Sequence, residues 1–476
     1  MNRDVLLSFL CVALVAVGCT MAPKYDRPVA PVPAAFPAGA AAENPAATNA
    51  PEARDLRWKE FFPDPKLQQL IAIALQNNRD LRLAVLNVER ARALYGIQRA
   101  ELFPAVDASA TGSRQRVPAD LSTTGNRQIA SRYDVNLGVA SWEPDFFGRI
   151  RSLKDQALEE YLATEQAHRS AQILLIASVA NACLTLAADR ESLTLAETTL
   201  VTQQSSYDLV KRRVDIGLVP ELDLYRAQTQ VDSARGDVAR FKQQVALDSN
   251  ALDLLLGSPA PEALLSAELG GVTPPHEIDA GVSSEVLLLR PDVLQAEGQL
   301  KAANADIGAA RAAFFPRISL TAAFGTASSE LSGLFKGGSG AWNFAPQIVV
   351  PVFDARVWAA HEAAKVQREI AVTQYEKSIQ GAFREVADAL AVRGTVGQQL
   401  SAQQSLVHAV AETYRLSNVR YTRGIDSYLG VLDAQRSLYA AQQGLVSLRL
   451  AKVSSEVRLY AVLGGGWQVD ETAAGR

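Results

Sequence analysis

A long internal duplication constrains this 476-residue chain more than any other feature of its sequence. Residues 211–228 (KRRVDIGLVPELDLYRAQ) have a related copy 207 positions later, within residues 418–436 (NVRYTRGIDSYLGVLDAQR). Residues 78–104 likewise match residues 290–316 at an offset of 212, and both segments end in Phe-Pro. A repeat of this length predicts two structurally equivalent halves, each too extended to fold around a core of its own.

Each half contains two long helical patterns with an apolar residue at every seventh position, and Lys452 in the second return helix is the one break. This spacing predicts coiled-coil seams rather than the broad apolar stripe of a globular helix. The first outgoing helix is predicted over 153–214, a length of about 90 Å. Gly217 and Gly424 separate the outgoing from the return patterns, so we expect antiparallel helical hairpins over 153–256 and 356–463. The seam of the first outgoing helix comprises Leu186, Leu193, Leu200, Tyr207 and Val214.

Two shorter segments in each half alternate between apolar and polar residues, which predicts strands with one apolar face. The strand hairpins are expected over 105–142 and 317–350. Four strands cannot form a stable soluble sheet, because their apolar face and their edges would remain uncovered. In an outer membrane, closure into a barrel solves both problems. Four strands are too few for a water-filled pore, so several copies must each contribute strands, with the charged helical hairpins extending into the periplasm.

The composition argues against other classes of function. Hydrophobic residues make up 48% of the chain but aromatic residues only 7%, which suits thin helical layers better than one thick core. The formal net charge of -4 indicates no nucleic-acid surface. The four histidines are scattered, and His361-Glu362 lacks the second histidine of a zinc-protease motif. We therefore expect neither an enzyme nor a metal site.

The N-terminus resembles a bacterial lipoprotein signal. Residues 1–18 combine Arg3 with an apolar run too short to span a bilayer, followed by Cys19. Cys19 is the expected lipidation site and would carry an N-acyl diacylglycerol group, with plain secretion as the alternative. Thr20 follows in place of the aspartate that often retains lipoproteins at the inner membrane, which favours the outer membrane. Cys183 would then be the single other cysteine of the mature chain, and is expected to be a small core residue.

The remaining boundaries follow from proline-rich segments and from the repeat. Residues 19–54 are predicted to be an extended lipidated tether. The first repeat is assigned to 55–257, a linker to 258–282 and the second repeat to 283–464. Residues 465–476 form a C-terminal tail.

Three motifs resemble the outer membrane factor (TolC) family, and in particular its NodT-like efflux lipoproteins. They are residues 58–84 (WKEFFPDPKLQQLIAIALQNNRDLRLA), the two Phe-Pro junctions and residues 418–436. The resemblance implies a homotrimer with a 12-stranded β-barrel, four strands per protomer, continued by a long α-helical coiled-coil barrel. It also implies a tripartite pump with a periplasmic adaptor and an inner-membrane transporter of the resistance-nodulation-division type. A type I secretion conduit and a heavy-metal efflux channel are alternatives of the same fold.

The resemblance also assigns functional residues near the two glycine turns. The positions expected to contact the adaptor are Val214, Gly217, Leu218, Val219, Arg420, Tyr421, Gly424, Ser427 and Leu429. The periplasmic gate positions are Asp223, Tyr421 and Asp433, although acids at a helix start and tyrosines in a heptad stripe also have purely structural uses. Gly430 replaces a further acidic position of the best-known member, and Asp426 replaces its gate arginine. The resemblance therefore indicates the location of the gate better than its charge pattern.

Overall fold

The computed structural model describes residues 20–37, 56–123, 125–278 and 283–466. The signal segment 1–18, the expected lipidation site Cys19 and tail residues 467–476 lie outside the described residues. The chain divides into two compact units, each assembled from separate stretches of sequence. Of the described residues, the first unit contains those within 20–29, 87–165 and 295–376, and the second contains those within 30–86, 166–294 and 377–466.

The first unit is built on one four-stranded antiparallel sheet with the strand order β1-β2-β3-β4. Its strands are β1 (Asp107–Val117), β2 (Gln128–Trp142), β3 (Arg317–Ser328) and β4 (Gly340–Val349). Both strand hairpins expected from the alternating pattern are present. Within the described chain, β1 and β4 each have a neighbour on one side only.

Side chains alternate between the two faces of this sheet, and strand pairing places large apolar residues of neighbouring strands opposite one another. Leu137 lies opposite Phe324, which in turn lies opposite Trp342. We call this side the apolar face of the sheet; it also carries Tyr133, Val135, Val139, Leu320, Phe344 and Ile348. The opposite, polar face carries Asp134, Asn136, Ser319, Thr321, Asn343 and Gln347. Large apolar side chains such as Phe324 (72% exposed) and Trp342 (79% exposed) have no cover within the chain.

Helices account for the rest of the ordered structure. They are α1 (Trp58–Phe61), α2 (Pro65–Asn77), α3 (Arg79–Ala100), α4 (Arg149–Asp215), α5 (Glu221–Leu256), α6 (Pro291–Ala312), α7 (Ala355–Thr422) and α8 (Tyr428–Val462). The two outgoing helices are the longest, with 67 residues in α4 and 68 in α7. They pair with the return helices α5 and α8 as the seven-residue pattern predicts. With four antiparallel strands and two long helical hairpins, the fold class expected from the sequence is confirmed.

The helical seams are buried where the seven-residue pattern places them. In the first hairpin Leu186 and Val231 are each 1% exposed and Leu252 is fully buried. Farther along, Ala196, Val238 and Phe241 form a second cluster against which Leu193, Leu200 and Tyr439 pack. Of the described helices, α4 alone is long and apolar enough to cross a membrane, but 61% of its apolar window is buried within the fold. That degree of burial is typical of a core helix.

A break at Asn78 divides the first predicted helix into α2 and α3. The Asn78 side chain accepts a hydrogen bond from the Leu81 N–H at 2.9 Å and donates one to the Leu255 carbonyl at 3.0 Å. The side chain therefore caps α3 and ties the break to the end of α5. In the second half, the segment before Arg290 is a 3₁₀ helix, Ser284–Leu289, so the repeats differ here.

The described part of the N-terminal tether is extended as expected, but it is also docked on the fold. In the first unit, Arg27 pairs with Glu297 of α6 at 2.7 Å, and the Tyr25 hydroxyl donates to the same carboxylate at 3.2 Å. Asn304 donates to the Pro23 carbonyl at 2.8 Å. These contacts fix residues 20–29 along α6.

Candidate docking and gating site at the helical hairpin ends

Each helical hairpin turns through a glycine in the left-handed conformation. Gly217 has φ +74° and Gly424 has φ +72°. The Gly424 N–H donates to the Tyr421 carbonyl at 2.9 Å, and the Ile425 N–H donates to the Arg420 carbonyl at 2.9 Å. This pair of bonds is a Schellman cap, which satisfies the last carbonyls of a helix and requires a positive φ. Gly217 and its successor form the same two bonds in the first hairpin, each at 2.8 Å.

The turns expose apolar side chains. We call residues 213–223 the first tip and residues 420–430 the second tip. Of the residues expected to contact an adaptor, Leu218 is 70% exposed and Leu429 is 44% exposed. Neighbouring residues that the resemblance did not assign are also apolar and exposed, namely Ile216 (70%), Leu222 (56%) and Ile425 (58%). Their signal in the sequence is the apolar residue on each side of a turn glycine.

A single apolar cluster lies beneath both tips. Its buried members are Val210, Ala227, Tyr421, Tyr428, Val431 and Leu432, and the half-buried Val214 and Val219 pack against it. The Tyr421 and Tyr428 rings lie 5.1 Å apart between centroids. Because residues of both hairpins share this cluster, the two tips of one chain are mechanically joined.

Tyr421, expected both at the docking surface and at the gate, is only 7% exposed within the chain. The guanidinium of Arg213, on the other hairpin, lies 5.0 Å from the centre of its ring. This is a cation–π contact between the two tips. Among the described residues, the Tyr421 hydroxyl has no hydrogen-bond partner. Its ring therefore packs and couples the hairpins, a role that the seven-residue pattern also predicts.

The two acidic gate candidates have different surroundings. Asp223 lies in the first turn of α5, where the helix dipole favours a carboxylate, and its Oδ1 is 3.4 Å from Arg226 Nη1. Asp433 is exposed on α8, with its nearest cation, Arg436, at 4.0 Å. Asp433 is thus free to face another chain or a pore, whereas Asp223 is partly neutralised within its own helix.

The second tip also contains an ion pair that the resemblance did not indicate. The Arg420 guanidinium donates to both carboxylate oxygens of Asp426, at 2.5 and 3.0 Å. This hydrogen bonding lowers the pKa of Asp426 below its ordinary value and raises that of Arg420. In the sequence, this ion pair was indicated only by two opposite charges six residues apart on either side of the turn glycine. Asp426, which the resemblance aligns with a gate arginine, therefore closes the turn of its own chain. Ser427 is the residue before α8 and makes no side-chain cap bond.

The described residues contain no group of three His, Cys, Asp or Glu side chains able to hold a metal ion. Burial raises the pKa of the Cys183 thiol to about 12, so this cysteine is an unreactive packing residue at neutral pH. The tips themselves offer exposed apolar side chains for protein contacts and a buried cluster for packing.

Comparisons with known proteins give the class. The family model for outer membrane efflux proteins matches residues 70–258 and 282–465, one segment for each repeat. The chain is 50% identical to the toluene efflux pump outer membrane protein TtgC of Pseudomonas putida, over 97% of this chain and 96% of that protein. It is equally similar, over the same shares, to the antibiotic efflux pump outer membrane protein ArpC of Pseudomonas putida. The open-state MtrE outer membrane channel of Neisseria gonorrhoeae is 40% identical, with a TM-score of 0.84 over 94% of this chain and 99% of that one.

The protein belongs to the outer membrane efflux protein family, and the resemblance seen in its sequence is confirmed. It is accordingly an outer membrane channel of an efflux system, as its fold and its two hairpin ends indicate.

Proposed function

We propose that three copies of this chain form the outer membrane channel of a tripartite efflux pump, which a periplasmic adaptor opens at the helical tips. The observation that carries the proposal is the pair of tips. Each presents exposed apolar side chains on a rigid glycine cap, and one buried cluster joins them. Exposed apolar residues on a rigid support are typical of a protein contact surface.

The trimer follows from the sheet. Its apolar face requires lipid, and β1 and β4 each need a neighbour. Joining β4 of one chain to β1 of the next in a closed ring satisfies every edge, and three chains give a 12-stranded barrel. The long helical hairpins extend into the periplasm in this arrangement, where their seams form a second, helical barrel.

Gating follows from the coupling of the tips. A displacement of the exposed residues of one tip is transmitted to the other tip through Tyr421, Tyr428 and the contact of Arg213 with Tyr421. The Arg420–Asp426 pair stiffens the second turn, so the hairpin end moves as a unit. Asp433, exposed on α8, is the acidic residue best placed to line the constriction, with Asp223 in support.

The relatives favour organic compounds as the exported molecules. TtgC and ArpC are named for toluene and antibiotic efflux, which supports solvents and drugs over proteins or metal ions for this chain. Selectivity resides mainly in the transporter that feeds the channel, for which we propose the resistance-nodulation-division type. We assign no catalytic step to the channel itself. The N-acyl diacylglycerol on Cys19 anchors the mature chain in the outer membrane.

Site-specific cross-linking tests the docking surface. Ile425→Cys places a thiol on the second tip, whereas Leu254→Cys places one on a more open site of α5 (Leu254 is 79% exposed). In cells that express the cognate adaptor, we expect a short bifunctional reagent to link adaptor to Ile425→Cys and not to Leu254→Cys. Cys183 contributes no background, because it is partly buried and its thiol has a pKa raised to about 12. Equal linking at both positions, or none at the tip of a variant that still confers resistance, would contradict docking at the tips.

A further inference from the structure

Two arginines interrupt the apolar face of the sheet near the loop that joins β1 to β2. Strand pairing places Arg114 opposite Ser131 and Arg116 opposite Ile129, in the rows that follow Tyr133. Because side chains alternate along a strand, both guanidinium groups project from the face that carries Tyr133 and the other large apolar residues. Both are exposed.

Neither arginine has a carboxylate partner among the described residues. On the polar face, by contrast, Arg132 is neutralised by Asp134 at 2.8 Å. Between positions 114 and 127 the sequence contains three arginines, with Arg127 as the third, and Asp120 as the one acidic residue. This end of the hairpin therefore presents a net positive charge, part of it directly on the apolar face.

The second repeat provides an internal comparison. At the offset of 212 residues, Thr326 corresponds to Arg114 and Ser328 to Arg116. Both lie on the apolar face of β3, opposite Val135 and Tyr133 of β2. The strand therefore folds without arginine at the equivalent positions, and the two charges are not a requirement of the sheet.

Depth in the membrane decides what the arginines can contact. The strand hairpin of β1 and β2 is connected to α3 and α4 at one end, and the loop 118–127 is at its other end. If the sheet is part of a membrane barrel, as the proposed function requires, this loop end meets the outer leaflet. An arginine on the lipid side is strongly unfavourable at the midplane of a bilayer but costs little near its surface. Tyr133, one row nearer the midplane, is an aromatic residue of the kind that borders the apolar band.

We propose that Arg114 and Arg116 bind the phosphate groups of outer-leaflet lipopolysaccharide. Guanidinium groups match the geometry of phosphate oxygens and bind them through paired, charge-assisted hydrogen bonds. The glycolipid presents these phosphates at the boundary between its acyl chains and its sugars. The site would order lipid molecules along the β1–β2 hairpin of each protomer. The β3–β4 hairpin, with Thr326 and Ser328 at the equivalent positions, would not order lipid in this way.

The test measures lipid A binding to the purified full-length oligomer by native mass spectrometry. The variant Arg114→Thr with Arg116→Ser carries the residues of the second repeat. We expect it to bind bisphosphorylated lipid A at least about tenfold more weakly than wild type, because charged hydrogen bonds are lost. Lipid A stripped of phosphate should bind weakly and equally to both proteins. The control, Arg127→Gln with Lys336→Gln, also removes two loop charges but leaves the apolar face unchanged and should bind like wild type.

Undiminished binding by the double variant, or the same loss in the control, would overturn the site. If the double variant does not assemble, Arg114→Lys with Arg116→Lys keeps the charge but loses the paired hydrogen bonds, and should bind more weakly than wild type. Wild-type binding that is insensitive to added salt would also overturn the proposal. Failure of the proposed function is distinguishable, because wild-type protein would then fail to fractionate with outer membranes before any lipid is added.

Discussion

At the scale of single residues, the helical hairpins hold charges that their seven-residue pattern does not predict. Asp189 of α4 and Asp248 of α5 are neighbouring carboxyl groups inside the first hairpin. Burial, and then the adjacent Asp248, raise the pKa of Asp189 from 3.8 to about 7, against an opposing effect of Arg240. Two carboxylates this close share a proton instead of ionising together. The heptad pattern places apolar residues in the seam, but it does not show which acids lie beside each other across it.

This pair makes the stability of the hairpin depend on pH. The folded chain holds a proton on Asp189 that the unfolded chain releases near pH 3.8. The free energy of unfolding therefore falls as the pH rises from about 4 to about 7, and this contribution is constant above that window. We expect Asp189→Asn to raise the melting temperature at pH 8 and to flatten its decline between pH 5 and pH 8, measured in detergent.

Asp232→Asn is the matched control, because Asp232 lies exposed on α5 beside Arg235 at 3.1 Å. It should leave the pH profile unchanged. A profile for Asp189→Asn that is as steep as that of wild type would show that Asp189 does not titrate in this range.

At the scale of elements, the sequence predicts long-range regularity well and local exceptions poorly. The seven-residue stripes place both hairpins within a few residues of their observed ends, because knobs-into-holes packing repeats along a helix. Strand alternation likewise identifies both faces of the sheet. The cap at Asn78, the docking of Arg27 on Glu297 and the Arg420–Asp426 pair were not predicted, because each depends on contacts that no local pattern encodes. Tyr421 shows the same limit at the site, since the heptad stripe predicts its packing but not its contact with Arg213 of the other hairpin.

The glycine caps can be tested with a pair of alanine variants. Gly424 has φ +72° and Gly430 lies in the first turns of α8, and an added Cβ would meet no atom within 4 Å at either position. Backbone conformation is therefore the main difference between them. Gly424→Ala should lower the free energy of unfolding by about 1–2 kcal/mol, the cost of a left-handed residue with a side chain. Gly430→Ala should raise it by about 0.5–1 kcal/mol.

Both values are measurable by denaturant or thermal titration of the detergent-solubilised protein. If Gly424→Ala loosens the cap, adaptor cross-linking through Ile425→Cys should fall in the same variant and remain intact in Gly430→Ala. Equal effects of the two substitutions would mean that the second turn does not depend on its left-handed glycine.

At the scale of the whole molecule, duplication yields two hairpins that are similar in fold but different in use. The family model matches each repeat separately, yet the two tips share one apolar cluster. The first helical hairpin supplies Val210 and Ala227, and the second supplies both tyrosines. Within a single chain, the ends of the two helical hairpins therefore pack together. The edge strands β1 and β4 of the sheet, by contrast, each have one side unpaired in the described chain. The sheet, rather than the tips, is where the chain depends on other copies.

Disulfide cross-linking between the edges tests this dependence. Within one chain, β1 and β4 are three strand spacings apart, about 14 Å, which is too far for a disulfide between them. Ala110 of β1 is paired with Val135 and so lies on the apolar face of the sheet. Trp342, Phe344 and Pro346 of β4 lie on the same face. We expect Ala110→Cys, combined in turn with cysteine at each of these three β4 positions, to give covalent trimers on oxidation for at least one pair. Ala110→Cys alone should give none.

A closed ring of three chains makes the fully linked trimer the end product, because each β4 meets the β1 of the next chain. Covalent chains that grow beyond three subunits, or no covalent product from any pair, would contradict a closed trimeric barrel.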